Sequence, residues 1–419
     1  MRPFAGAELR GEVRARLDAL VDRHRIKGLI VSTEPLSHRA YIRYGLSRRL
    51  SVLTDKPLTT REGVAHDAAA ARGVWDDYQE IRELYERVRL SGRICLLVNS
   101  HRRWHWGFRK AFELVREIRD RFNCPVTAVH SEHCDGQWRL PCEIVTQDYH
   151  PYNRGYGKVS HSGYHILDMV ACFLKAGRIP EKAPNEFREA SSFLLPEGFL
   201  DQVRRGDYRR YFPGEYDAVC PHTDDELRSQ MAHYGEIDAH ALVEFRRRGV
   251  NVAHAQISLQ HNGFARRCWA QPGADLYKGN GRVRHERHRI DSGPFQTFYV
   301  ESYQANDRQD HTYGLNFDRG GNNHFDIVVY RNTGMTGDRE PQVTYRLPDL
   351  VAGAGFVATR LHNEQAKEGS LVEFLRFIRG EIGHDDLTSG IEDHALTARL
   401  MSAVYESHAR DERVSAAIV

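Results

Sequence analysis

The sequence has no long hydrophobic run and no excess of charge of one sign. None of its apolar stretches approaches the ~20 residues that a membrane-spanning helix needs, and charged side chains occupy the N-terminal stretch where a signal peptide would be apolar. The 59 basic and 57 acidic side chains among the 419 residues leave a formal net charge of +2, which provides no basic surface for duplex nucleic acid. We expect a cytoplasmic protein that binds neither a membrane nor nucleic acid.

Cysteine is also sparse and unpatterned. The seven cysteines are an odd number without a Cys-x-x-Cys pair, which favours neither a disulfide framework nor a cysteine-rich zinc site. Histidine is abundant instead, with 23 residues in a chain that is 41% hydrophobic and 28% charged. This composition is typical of a globular protein with a packed core, and the histidine clusters are where it predicts chemistry.

Short apolar runs alternate with helix-type periodicity through residues 1–124. The predicted strands are 28–32, 50–54 and 94–99, and the predicted helices are 7–24, 37–46, 61–90 (with a break near 72–73) and 107–121. Strand–helix alternation of this kind is typical of a parallel sheet flanked by helices. The apolar stripe of the first helix is expected to pack against the core.

The pattern changes after Cys124. Strand-like runs at 126–133, 252–259, 297–304 and 325–330 are separated by turn residues, while residues 166–176 and 371–413 have helical periodicity. The predicted fold class is α/β plus α+β. Residues 1–124 form a partial Rossmann-like parallel sheet, and residues 125–419 form a larger domain with a mostly antiparallel sheet.

The first candidate site residue is Lys56, which follows the second predicted parallel strand. Ligands of open α/β sheets bind at the carboxyl ends of the strands, where a lysine can act as an acid or stabilise an oxygen atom. A surface lysine in a turn that ends at Pro57 explains the same residues.

The second candidate is the segment from His161 to Asp168. On a helix, His161, His165 and Asp168 share one face, which could carry a general base, a proton relay or a metal ion. The glutamate of the His-Glu-x-x-His motif is missing and no third ligand is specified, so we expect no metal. A pair of structural histidines is the alternative.

Two segments rich in arginine, tryptophan and histidine are further candidates. Residues 100–106 follow the third predicted strand, and residues 130–139 lead toward Tyr149. Arginine forks and indole rings suit polyhydroxylated or anionic ligands. Packing of the tryptophans between domains is the alternative for the first segment.

In their order along the chain, these segments resemble the motifs of Gfo/Idh/MocA-type oxidoreductases, the family of glucose–fructose oxidoreductase and inositol dehydrogenase. Residues 30–35 with His38 resemble the strand that lines the nicotinamide cofactor, and Asp55-Lys56-Pro57 resembles the Glu-Lys-Pro motif with its catalytic lysine. Residues 99–103 resemble the segment that reaches the substrate cleft. Residues 161–168 resemble the Asp-x-Gly-x-His-x-x-Asp helix start, which places His165 at the catalytic histidine position.

The resemblance implies an oxidoreductase that acts on a sugar, cyclitol or similar polyhydroxylated small molecule. In that scheme His165 takes the hydroxyl proton, Lys56 stabilises the oxygen and His161 relays the proton. The implied cofactor is NAD or NADP, bound near Thr33, Pro35, His38 and Asp55. The implied substrate contacts are Arg103, Trp104, Trp138, Arg139, Tyr149 and Asp168. A homo-oligomer formed through the C-terminal sheet is expected, with residues such as Phe295, Phe298 and Val300 on an open apolar face.

Two departures from the family pattern stand out. His161 replaces the first aspartate of the helix motif. No Gly-x-Gly-x-x-Gly loop follows a strand, since residues 353–358 fit only a looser pattern outside any strand–helix–strand unit. The first two Rossmann strands and the acidic ribose-binding residue are also lacking.

Two interpretations follow from these departures. Either the start site is misplaced or truncated and the natural enzyme is an ordinary NAD(P) oxidoreductase, or the half-domain is genuine. A genuine half-domain implies a cofactor-independent lyase, isomerase or cyclase, or a non-catalytic partner subunit. Its sheet would expose an edge and an apolar face that need cover, which helix 7–24 would supply in part.

Overall fold

The computed structural model of the chain describes residues 8–271, 281–305, 314–352, 355–357 and 360–410. The helices are α1 (Gly11–His24), α2 (His38–Ser47), α3 (Ala68–Arg89), α4 (Trp106–Phe122), α5 (Pro141–Val145), α6 (Tyr164–Ala176), α7 (Pro196–Gln202), α8 (Arg205–Tyr211), α9 (Tyr216–Val219), α10 (Asp224–Met231), α11 (Thr333–Thr336), α12 (Leu347–Leu350), α13 (His362–Arg379) and α14 (Ala395–Arg410). The strands are β1 (Gly28–Val31), β2 (Ser51–Thr54), β3 (Leu96–Val98), β4 (Ala128–Cys134), β5 (Glu186–Leu194), β6 (Asp238–Arg247), β7 (Val250–Gln260), β8 (Val283–Ser292), β9 (Gln296–Ala305), β10 (Asn323–Arg331) and β11 (Gln342–Arg346).

The first sheet is parallel, with the strand order β1-β2-β3, as the alternation predicts. Val31 pairs with Thr54, and Thr54 pairs with Val98, so all three strands end at the same edge. The residues that follow them therefore gather at one end of the sheet.

Two helices of this region differ from their predictions. α1 forms, but none of its side chains is buried and Leu20 is 48% exposed, so the expected packing of its apolar stripe against the core is wrong. α1 is instead held to α2 by polar contacts such as Tyr44–Asp18. α3 begins at Ala68 and runs unbroken to Arg89, so residues 61–67 are not helical and the predicted break near 72–73 is wrong. Gly73 lies against the Arg61 guanidinium, where a Cβ would collide.

The C-terminal helices return to the first sheet. Phe374 and Phe377 of α13 pack on Leu53 and Leu97, which covers the face that was expected to lie open. At the outer edge of β3, the Val98 N–H donates to the carbonyl of Ser389. The predicted helical end is thus two helices, α13 and α14, and the predicted boundary at residue 124 remains a prediction.

The second sheet has the strand order β11-β10-β9-β8-β4-β7-β6-β5, and only its β4–β7 pair is parallel among the described strands. The mostly antiparallel second sheet and the predicted fold class are confirmed. Helices α4 and α6 cover one face, where Phe173 contacts Phe298.

The expected open apolar face is wrong. Phe298 and Val300 are buried on the helix-covered side, and Phe295 lies in the turn before β9, where it stacks on Phe122. Successive side chains of a strand point to opposite faces of the sheet, so the face that the helices leave uncovered carries the polar side chains. Its exposed residues include His254, Arg287, Arg289, Tyr299 and Glu301. No helix among the described residues is both long and apolar enough to cross a membrane.

Candidate active site

A cavity of about 290 Å³ lies where the strands of the first sheet end. Ser32, Asp55 and Asn99 directly follow β1, β2 and β3 and line one side of it. The other sides come from the loop after β4, the turn before α6, the start of β8 and the first turns of α13. This is the edge at which open α/β sheets bind ligands.

The cavity lining is rich in cations and imidazoles. The cations are Lys56, Arg139, Arg282, Arg284 and Lys367, and the histidines are His101, His150, His161, His165 and His261. Burial above all, followed by neighbouring imidazole or cationic groups, lowers the pKa of all five histidines. They are therefore neutral at neutral pH and can accept protons.

Lys56 reaches across to the turn that carries His161. Its Nζ donates to the carbonyl oxygen of His161 at 3.0 Å. Its backbone N–H donates to the Asp55 carboxylate at 2.9 Å, which fixes the start of the loop after β2. The lysine and the two predicted histidines thus border one cavity.

His161 does not belong to helix α6. A π-type turn over Val159–Gly163 precedes the helix, and His161 departs from helical geometry with ψ of −107°. The predicted helical face shared by His161, His165 and Asp168 is therefore wrong. The two imidazoles both line the cavity, but the carboxylate does not.

The turn that carries His161 is braced by a buried acid. The Val159 N–H donates to Glu236 Oε1 at 2.8 Å, and the Tyr405 hydroxyl donates to the same oxygen at 2.9 Å. Tyr405 also accepts from the Ser160 N–H at 3.1 Å. Burial raises the pKa of Glu236 to about 7.

His165 lies in the wall of the cavity with only 4% of its surface exposed. Its Nδ1 has no hydrogen-bond partner in the described part of the chain. The ring of His101 meets it edge-on, with centroids 4.3 Å apart, and His101 Nε2 likewise has no partner there. Two buried imidazoles that are not held by protein hydrogen bonds remain available to a ligand.

Arg103 and Asp168 lie outside the cavity and form a buried ion pair. Arg103 Nε and one terminal nitrogen donate to the two Asp168 oxygens at 2.9 and 2.7 Å. Ser100 and Thr397 also donate to this carboxylate. The structure does not bring either residue to the predicted substrate wall, because each is the counter-ion of the other.

The predicted tryptophan contacts also lie elsewhere. The Trp104 indole N–H donates to the Glu373 carboxylate of α13, and Trp138 does not line the cavity. Arg139 and Tyr149 do line it. Tyr149 is 55% exposed and stacks on His150, whereas Arg139 is buried.

Of the four predicted cofactor-binding residues, one lines the cavity and three do not. Asp55 lines the cavity, whereas Thr33, Pro35 and His38 do not. The His38 ring lies between the carbonyl oxygens of Pro57 and Thr33, at 2.8 and 3.1 Å, and so joins the loops that follow β1 and β2.

These residues do not fit a whole nicotinamide dinucleotide. In the described chain, the loops from β1 to α2 and from β3 to α4 contain no glycine, and the loop from β2 to α3 contains only Gly63. None of them supplies the glycine-rich turn at a helix N-terminus that binds a pyrophosphate. No group of three or more His, Cys, Asp or Glu residues in the described part could hold a metal ion.

Several lining residues were not assigned from the sequence. His261, after β7, and Arg282 and Arg284, at the start of β8, reach the cavity through the pairing of β4 with β7 and β8. His150 reaches it from the loop after α5. His101 lies within the candidate segment 100–106, but the site residues predicted from that segment are Arg103 and Trp104. The high histidine count was the only sequence signal for this cluster.

Comparison with known proteins supports the fold. No protein-family model and no curated protein matches the chain. Solved structures do match: an oxidoreductase from Agrobacterium radiobacter in complex with NAD+, L-tartaric acid and magnesium is 14% identical, with a TM-score of 0.52, over 95% of this chain and 87% of that one. An inositol dehydrogenase homologue from Azotobacter vinelandii complexed with NAD+ is 12% identical, with a TM-score of 0.51, over 94% and 80%.

An aldose–aldose oxidoreductase from Caulobacter crescentus complexed with glycerol is 13% identical, with a TM-score of 0.51, over 95% of this chain and 82% of that one. At these identities the likeness establishes the fold alone. It confirms the architecture that the resemblance to Gfo/Idh/MocA-type oxidoreductases implied.

Proposed function

We propose that the cavity is the active site of an enzyme that acts on a polyhydroxylated small molecule such as a sugar or cyclitol. His165 takes the proton from a substrate hydroxyl group, Lys56 stabilises the oxygen, and His161 relays the proton. Arg139 and Tyr149 contact the rest of the substrate. The seven free cysteine thiols support a reducing, cytoplasmic setting.

One observation carries this proposal: Lys56 and His165, which come from different elements, border the same polar cavity. Lys56 follows a parallel strand and His165 lies in the first turn of α6. Burial lowers the pKa of His165, so its imidazole is neutral and can accept a proton. An ammonium and a neutral imidazole on the wall of one cavity are suited to removing a proton from a hydroxyl group.

The first candidate reaction is oxidation or reduction at a carbinol carbon. The solved structures with this fold include oxidoreductases crystallised with NAD+, one of them with L-tartaric acid and another a homologue of inositol dehydrogenase. A bound nicotinamide would supply hydride transfer in such a reaction. The described residues hold no pyrophosphate loop, so we assign them the proton transfer only.

The second candidate is a cofactor-independent lyase, isomerase or cyclase that uses the same lysine and histidine. The loop composition after β1, β2 and β3 favours it, because these residues do not fit a dinucleotide. A non-catalytic partner subunit is the remaining alternative, and it predicts binding without turnover.

Titration calorimetry with NAD(H) and NADP(H) separates the two reactions. We expect no micromolar affinity for either cofactor, because backbone N–H groups of the glycine loop carry much of dinucleotide recognition. Micromolar binding would show that the remaining residues suffice, and would favour the oxidoreductase.

Turnover of a panel of sugars, cyclitols and their acids, with and without cofactor, tests the site itself. His165→Ala and Lys56→Met should each lower kcat/KM at least about 100-fold, since general acid–base groups contribute about 10²–10⁴-fold. The melting temperature of His165→Ala should stay close to that of wild type because its Nδ1 has no protein partner to lose. A variant that is destabilised but still active would show that His165 is structural.

A further inference from the structure

Arg139 is a buried cation without a counter-ion. It is 2% exposed, and its Nε donates to the side-chain oxygen of Gln137 at 2.8 Å. One terminal nitrogen, Nη1, is buried without a hydrogen-bond partner, and no carboxylate in the described ranges forms an ion pair with this guanidinium. Because arginine is rarely buried unpaired, the position calls for a partner from outside the chain.

The backbone around Arg139 is held in place for this side chain. The Asn262 side chain forms two hydrogen bonds with the Arg139 backbone: its Oδ1 accepts from the Arg139 N–H at 3.0 Å, and its Nδ2 donates to the Arg139 carbonyl at 3.1 Å. Trp138 adopts a left-handed conformation with φ of 42°, which persists in a non-glycine residue only where the surroundings fix it. The arginine is therefore placed in advance of any ligand.

Three of the other four cations of the cavity have acidic partners, and the fourth, Lys56, donates to the carbonyl oxygen of His161. Lys367 pairs with Glu364 at 2.9 Å. Arg282 lies 3.5 Å from Asp135, whose carboxylate is bound more closely by Lys158 at 2.6 Å.

Arg284 lies 3.9 Å from Glu286, which is also bound by Arg102 in a bidentate pair. The nearby carboxylates are thus already engaged by other cations. Arg139 lines the cavity without an ion pair among the described residues. The carboxylates of Asp135 and Glu143 favour its charge from farther away, and Glu143 is itself bound by Arg267 through two hydrogen bonds.

We propose that Arg139 binds an oxyanion, either a carboxylate or a phosphate group, carried by the polyhydroxylated substrate. The planar guanidinium fork matches such a group with two parallel hydrogen bonds. The substrate class is then an acidic or phosphorylated sugar or polyol, with its hydroxyl groups toward Lys56 and His165. The polyol part of this inference rests on the proposed function.

Titration calorimetry at constant ionic strength tests the inference with matched pairs of ligands. D-Gluconate is compared with D-sorbitol, and glucose 6-phosphate with glucose, while inorganic phosphate alone serves as a third arm. We expect the wild-type protein to bind one anionic member at least about tenfold more tightly than its neutral partner, and to bind free phosphate more weakly than that member. The preferred pair distinguishes a carboxylate from a phosphate.

Arg139→Gln should lower the affinity for the anionic member by about 10- to 100-fold, the range typical of hydrogen bonds to charged groups. Affinity for the neutral member should change little. Arg339→Gln is the matched control, because it removes the same charge from a side chain that is 95% exposed. Arg139→Lys, which keeps the charge and loses the fork, should fall between wild type and Arg139→Gln.

A thermal melt of the unliganded protein provides a second readout. Arg139→Gln should melt no lower than wild type, because no ion pair is lost and a buried charge without an ion pair is removed. Three results would each overturn the inference. The first is equal affinity for both members of each ligand pair, and the second is an unchanged preference for the anionic member in both Arg139 variants. The third is affinity for free phosphate as high as that for the phosphorylated sugar. Anion binding through Arg139 without any turnover would instead refute the proposed function and leave this inference standing.

Discussion

Glu236 supports the turn that carries His161, and its burial leads to a specific pH dependence of stability. Its side chain is fully buried, Oε1 accepts two hydrogen bonds, and Oε2 has no partner within the described ranges. Burial raises its pKa to about 7 from the ordinary 4.5. Glu236→Gln keeps an accepting oxygen for Val159 and Tyr405 and removes the ionisation.

The sign of the effect follows from proton binding. Between pH 4.5 and about 7 the folded state binds more protons at Glu236 than the unfolded state, so rising pH lowers the free energy of unfolding of the wild-type protein through this window. The interval of about 2.5 pH units, at about 1.4 kcal/mol each, corresponds to about 3 kcal/mol. We therefore expect Glu236→Gln to match wild type at about pH 4.5 and to be more stable by about 3 kcal/mol at about pH 8.

Urea denaturation followed by circular dichroism at the two pH values measures this difference. Glu340→Gln is the control, because Glu340 is 65% exposed and pairs with Arg339, which is 95% exposed. The reasoning is refuted if Glu236→Gln shifts the free energy of unfolding equally at both pH values, or if it destabilises the protein at about pH 8.

Two further predictions concern assembly and the buried ion pair. Asp168→Ala should destabilise the protein by about 3–5 kcal/mol because it leaves the Arg103 guanidinium buried and unpaired, and urea denaturation in which the variant unfolds like wild type would contradict the structural role. The homo-oligomer through the second sheet stays a prediction, although the uncovered face of that sheet is polar. Light scattering should report a mass of at least two 48.2 kDa chains, and Tyr299→Arg on the uncovered face should shift the mass to one chain. A wild-type monomer at micromolar concentration would reject the oligomer.

The fold was largely predictable because its signals are local. Short apolar strands alternate with amphipathic helices in residues 1–124, and alternating strands mark the second sheet, so both sheets follow from periodicity. The same periodicity places Lys56 after β2 and His161 and His165 around the start of α6, and their role as site residues stays a prediction. Each stands at the end of an element whose position the pattern indicates.

The rest of the site depends on long-range packing that no local pattern records. Arg103 has the chemistry of a ligand-binding residue, but Asp168 neutralises it inside the protein. Conversely, Arg139 is among the implied substrate contacts, but only the structure shows that it is buried without an ion pair. Likewise, only the structure shows that Gly73 leaves room for the Arg61 guanidinium.

The position of the C-terminal helices could not be predicted from local patterns either. Helical periodicity in residues 371–413 predicts helix, but it does not reveal that α13 covers the first sheet. The prediction of an open apolar face on the second sheet is wrong because alternating side chains identify the two faces of a sheet but not which of them the helices cover.

A crystal structure of the protein soaked with the tightest-binding polyol or sugar acid tests the central claim most directly. The account predicts a ligand hydroxyl group within hydrogen-bond distance, about 2.6–3.2 Å, of both Lys56 Nζ and a nitrogen of the His165 ring. Ligand density elsewhere on the molecule, with Lys56 still bound to the His161 carbonyl and the cavity unchanged, would contradict it.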